Sequence, residues 1–136
     1  MHKFQLRYFL IALLFPLFLV SCDDDDDDVN PNVSMLTAGV WAGNAIYFND
    51  EDVTDEILED EGFDWTLYTS EFKRDGTYNE KYDGDVVAEG KWEYQNNDRV
   101  IVFDETGGDE YTVVISKLDN DELFYVYGGV EYRFVR

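Results

Sequence analysis

An all-β domain is the fold class this sequence predicts, and three observations carry that expectation. Aromatic residues make up 17% of the chain, a share that suits pleated, half-buried strands. Short apolar segments alternate with turn signals such as Asp75-Gly76, Asp83-Gly84, Asn96-Asn97-Asp98 and Gly128-Gly129, which punctuate hairpins. The stretch from Ser34 to Arg136 is about 100 residues without a second linker, enough for one small domain with one core.

Val40 to Phe48 (VWAGNAIYF) reads as the first strand and Phe63 to Lys73 (FDWTLYTSEFK) as the second. Thr77 to Tyr82, Val86 to Tyr94 and Arg99 to Phe103 follow, each set off by a turn. Glu110 to Ser116, Leu123 to Tyr127 and Val130 to Val135 complete a set of eight. Short connections make consecutive strands antiparallel neighbours. Eight antiparallel strands on so short a chain close most economically into an up-and-down barrel, because closure removes exposed edges. A β-sandwich is the alternative that the same strand count allows.

Asn49 to Gly62 departs from this pattern. Val53, Ile57 and Leu58 lie near one face of a short helix over 53–61, with Asp50 or Asp52 to cap it and Gly62 to end it. Glu59, Asp60 and Glu61 oppose the helix dipole, so an acidic surface loop is an equal reading. An EF-hand is excluded, since no glycine stands at the sixth position from Asp50.

Alternation along the first strand puts Trp41, Gly43, Ala45 and Tyr47 on one face, where Gly43 and Ala45 are small enough to leave room inside. With Trp65, Tyr78 and Trp92 they form the candidate ligand-lining set. Tyr68, Tyr94, Phe103, Tyr111, Phe124 and Tyr125 enlarge the aromatic supply. Any one of these rings serves a barrel core as readily as a pocket.

The N-terminus has a different character. His2, Lys3 and Arg7 precede an uncharged apolar run of 13 residues, Tyr8 to Val20. That is too short to span a bilayer and has the length of a signal-peptide core. Leu19-Val20-Ser21-Cys22 follows, with Cys22 the only cysteine. These four residues resemble the lipobox of bacterial lipoproteins. The resemblance implies cleavage before Cys22, lipid on that cysteine, and removal of residues 1–21 as a signal peptide. Asp23, Asp24, Asp25, Asp26, Asp27 and Asp28 come next. Six like charges cannot pack together, so residues 22–35 are expected to form a lipidated, acidic, disordered tether. Acidic residues directly after Ser-Cys also resemble the surface-export signal of lipoproteins in the Bacteroidota. This implies a lipid-anchored protein of the outer membrane facing the cell exterior, with the periplasmic face as the alternative.

Charge excludes several partners. Without Lys3 and Arg7, 8 basic residues face 31 acidic ones, a balance of −23. Such a chain repels nucleic-acid phosphates and anionic headgroups, so its hold on a membrane must come from lipid. The one histidine, His2, leaves with the signal. That excludes His-dependent nucleophile systems and zinc sites built on imidazole or thiolate. No phosphate-binding or dinucleotide motif occurs, and no carboxylate pair is singled out for glycosidase chemistry. No enzyme, metal or cofactor is expected.

Gly39-Val40-Trp41 resembles the G-x-W that opens the lipocalin barrel, Gly90-Lys91-Trp92 repeats its spacing, and Glu131 to Arg136 is similar to a closing strand. Over residues 36–136 the chain resembles the lipocalin-like domain of small lipoproteins from the Bacteroidota. The resemblance implies that Arg133 or Arg136 lies over Trp41 and closes one barrel end. Two functions are expected: a surface barrel that binds a small apolar ligand without catalysis, or a solid barrel serving as a structural or protein-interaction module of a surface assembly.

Overall fold

Alternating side chains and tight turns close a sheet on itself. In the computed structural model, which describes residues 30–136, the strands are β1 (Val40–Phe48), β2 (Glu51–Asp52), β3 (Tyr68–Phe72), β4 (Thr77–Tyr82), β5 (Asp85–Gln95), β6 (Val100–Glu105), β7 (Glu110–Leu118), β8 (Glu122–Tyr127) and β9 (Val130–Val135). The signal segment, Cys22 and Asp23 to Asp28 lie outside the described residues. Neighbours pair in the order β1-β3-β4-β5-β6-β7-β8-β9, all antiparallel, and β9 returns to β1 through Ala42↔Val135 to Phe48↔Val130. That return makes an eight-strand closed barrel and rules out the sandwich. The two-residue β2 pairs only with the end of β1.

Turn chemistry sets the hairpins. Asp83 and Gly84, at φ 51° and 87°, form the two-residue β4–β5 turn whose twist matches the flanking strands. A local device recurs at three connections: Asp52, Asp64 and Asp75 each accept bonds from the backbone N–H and the hydroxyl of the threonine two residues on. Such bonds fix a bend without help from the core.

Two helices and one 3₁₀ turn complete the unit. Helix α1 (Pro31–Leu36) packs on the barrel end through Leu36, which is fully buried. The Tyr94 hydroxyl donates to the Asn32 carbonyl at 3.0 Å. The compact unit therefore begins at Pro31, and residues 31–35 belong to it and not to a tether. Helix α2 (Thr54–Glu61) realises the helical reading of 53–61. Asp52 accepts from Thr54 N–H at 3.0 Å, and Gly62 N–H donates to the Leu58 carbonyl. The helix is tied to β1 by the Ile46 N–H, which donates to Thr54 Oγ1 at 2.9 Å.

The expected second strand is shorter than Phe63 to Lys73. Asp64 accepts from Thr66 N–H and winds Trp65–Leu67 into a 3₁₀ turn before β3 begins. Trp65 is swung inward as a result.

The core fills one half of the barrel. Trp41, Phe72, Ile101, Phe103, Leu123 and Phe134 are essentially inaccessible to solvent. Trp41 Nε1 donates to the Leu36 carbonyl at 3.0 Å, and Trp92 Nε1 to the Lys73 carbonyl at 2.9 Å, so both indoles satisfy their polar edge. The Arg136 guanidinium lies 3.8 Å from the Trp41 ring centroid and also bonds the Met35 carbonyl. Of the two arginines expected there, Arg133 goes elsewhere. It lies 3.6 Å from Tyr47 and 4.5 Å from Phe124 on the outer face, with its Nε 2.6 Å from Glu131. Among the described residues, every paired strand and the core cluster lie in the unit from Pro31, so it has what a domain needs to fold when expressed alone.

Candidate functional site

The other half of the barrel is open. Its inward positions bear rings that line a cavity of about 770 Å³. Trp65, Tyr68, Tyr111, Tyr125 and Tyr132 supply aromatic surface, and Ile46, Ile57 and Val113 supply aliphatic surface. The rings are braced against one another. Trp65 stacks on Tyr68 at 4.7 Å and meets Phe134 edge-on at 5.1 Å, while Phe103 stacks on Tyr111 at 4.9 Å. Trp65 Nε1 donates to the Arg133 carbonyl at 3.0 Å, which ties the indole over β1 to β9.

One acid sits among these rings. Tyr78, Glu80 and Tyr82 are the inward residues of β4, and Glu80 is only 2% exposed. The Tyr68 hydroxyl donates to Glu80 Oε2. The Tyr111 hydroxyl approaches Oε1 at 3.4 Å, a long bond. Burial pushes the Glu80 carboxyl above its ordinary range, the two phenols pull the other way, and Glu105 adds a smaller upward push. Burial beside this acid also raises Tyr68 and Tyr111. Among the described residues no lysine or arginine lines the cavity, and the mouth carries Glu61, Glu105, Asp109 and Glu110. Among the described residues, no group of His, Cys, Asp and Glu is arranged to hold a metal ion.

The structure sorts the candidate ligand-lining residues. Trp65 lines the cavity. Gly43 leaves no room for a ligand: a Cβ there would lie 2.0 Å from the Trp65 carbonyl oxygen, so the missing side chain admits the 3₁₀ turn. Ala45 and Tyr47 face outward, because a bulge between Gly43 and Ala45 reverses the alternation. Ala45 pairs with Arg133 on the outer face, and Tyr47 lies under the Arg133 guanidinium. Ile46 takes the inward place instead. Tyr78 and Trp92 are core residues, packed edge-on against Phe103 at 4.9 Å and Phe72 at 5.7 Å. Glu80 was not singled out by the sequence reading. Its signal was the Tyr-x-Glu-x-Tyr alternation of β4, which puts a carboxyl on the same face as two aromatic rings.

No family model and no curated protein matches the sequence. Solved structures do resemble the barrel. A DUF4847 family protein from Bacteroides vulgatus ATCC 8482 superposes with a TM-score of 0.57 at 16% identity, covering 74% of this chain and 93% of that one. A lipocalin-like protein from Bacteroides uniformis ATCC 8492 gives 0.56 at 14% identity, covering 75% and 98%. The fold is lipocalin-like. At these identities the likeness concerns architecture alone. In this lipocalin-like barrel one end is shut by Trp41, Arg136 and α1, and the other is an aromatic cup with Glu80 in its wall.

Proposed function

We propose that the protein binds a small, largely apolar ligand in the open half of the barrel and performs no chemistry on it. The observation that carries this reading is the cavity of about 770 Å³, within the range of roughly 300–1,000 Å³ typical of small-molecule sites. Its walls offer braced aromatic and aliphatic surface beside a single buried acid, Glu80, and further acids stand at the mouth. Trp65 in the wall serves as the reporter. In the chain expressed from Asp23 onward, an environment-sensitive apolar dye and a panel of lipids and sterols should quench its fluorescence. Binding no tighter than about millimolar, worth only ~4 kcal/mol, would favour the interaction-module alternative.

The carrier belongs, on this proposal, to the outer membrane. Leu19 to Cys22 supports lipidation at Cys22, and Asp23 to Asp28 supports export to the outward leaflet. In fractionated cells, Cys22→Ala should move the protein out of the membrane fraction, and retention as firm as wild type would contradict the anchor. Replacing the six aspartates by asparagine should leave a lipidated protein shielded from external protease.

A further inference from the structure

We propose that the cavity selects organic ammonium ions, with the positive nitrogen donating to Glu80 and the apolar body held by the surrounding rings. This rests on the ligand-carrier reading and narrows it to one ligand class. A buried carboxyl ordinarily costs folding free energy unless it is paired. Glu80 has no basic partner among the described ion pairs. Its neighbours are phenols and another acid. Tyr68 on β3 and Tyr111 on β7 bond it, Tyr78 on its own strand and Tyr125 on β8 face it, and Glu105 lies at the end of β6.

Two phenol donors do not exhaust a carboxylate, which has about four acceptor sites. Oε2 is firmly held by Tyr68, but the 3.4 Å approach of Tyr111 leaves Oε1 under-served. A closer, charged donor forms the stronger bond there. Trp65, Tyr68, Tyr111 and Tyr125 line the same cavity, and aromatic rings attract a cation through their quadrupole. The mouth acids Glu61, Glu105, Asp109 and Glu110 concentrate cations and repel carboxylates. A neutral ligand would use the rings and leave both Glu80 and this field idle.

The test uses three matched probes on the chain from Asp23 onward: 4-phenylbutylamine, 4-phenyl-1-butanol and 4-phenylbutyrate, titrated by calorimetry. The amine is expected to bind about tenfold or more tightly than the alcohol, the equivalent of one charge-assisted hydrogen bond, and the carboxylate not measurably. Amine affinity should fall as acid protonates Glu80, while alcohol affinity stays level. Glu80→Gln, isosteric and still able to accept from Tyr68, should bring the amine down to the alcohol's affinity without weakening the alcohol. Equal binding of amine and alcohol by the wild type would overturn the ammonium inference and leave the carrier intact. An amine preference that survives Glu80→Gln would overturn the role of Glu80. Failure of all three probes, together with failure of the apolar dye, would remove both readings.

Discussion

Trp41→Ala is expected to lower stability by about 3–5 kcal/mol, the range for deleting a large buried aromatic. Trp41 has no exposed surface, and three elements depend on it. Its indole N–H holds the last carbonyl of α1 at 3.0 Å, its face carries the Arg136 guanidinium at 3.8 Å, and its strand joins β3 to β9. Truncation leaves a cavity, an unpaired carbonyl at Leu36 and a guanidinium without its ring, costs that fall on one place and do not relax independently. Denaturant melts of the wild type and the variant measure the difference. A loss below about 1 kcal/mol would mean that the shut end is held by something other than this tryptophan.

Gly43→Ala should cost about 3 kcal/mol, the upper end of ordinary over-packing. Here the added methyl meets backbone and not a yielding side chain: the Trp65 oxygen at 2.0 Å and its carbonyl carbon at 3.0 Å. The 3₁₀ turn must move away from β1, and the Trp65 indole must move with it or give up its bond to the Arg133 carbonyl. Stability and ligand response should therefore fall together. Loss of the Trp65 quenching signal alongside a lower denaturation midpoint is the expected pair of results. A variant that melts and binds like wild type would show that the turn is free to shift.

Much of this architecture was legible in the chain because the barrel obeys simple periodicity. Strands four to eight of the reading coincide with β5 to β9 to within a few residues, since Trp92, Ile101, Phe103, Val113 and Leu123 recur at inward places between unambiguous turns. The closure of Trp41 by a C-terminal arginine was legible only as a choice of two. Strand register decided between them, since Arg133 pairs with Ala45 on the outer face while Arg136 follows the end of β9. The site was harder to see. One extra residue in β1, at Asn44, exchanges the faces of all that follows it, so Ala45 and Tyr47 were expected inside and Ile46 was not. Asp64 bends its own neighbours into a 3₁₀ turn within a segment whose aromatic content reads as strand. Residues 31–35 lie close behind the aspartate run, and it is the burial of Leu36 and the bonds from Tyr94 to the Asn32 carbonyl and from Arg136 to the Met35 carbonyl that show they belong to the packed unit.

The recurring aspartate–threonine bends bear on what acid does to this molecule. Bonds from their threonines hold the carboxyls of Asp52 and Asp75 below the ordinary range, and backbone N–H groups do the same for Asp119. A carboxyl lowered on folding contributes stability above its unfolded pKa and loses it as pH falls through the folded value. Glu80 has the opposite sign: burial raises it, so its ionisation weighs against the fold as pH rises. Acidification thus relieves the interior while slackening the bends, and the two responses sit at different depths. Falling pH protonates the raised Glu80 first and slackens the lowered aspartate bends only in stronger acid, so a mildly acidic surrounding would neutralise the cup while its loops stay latched.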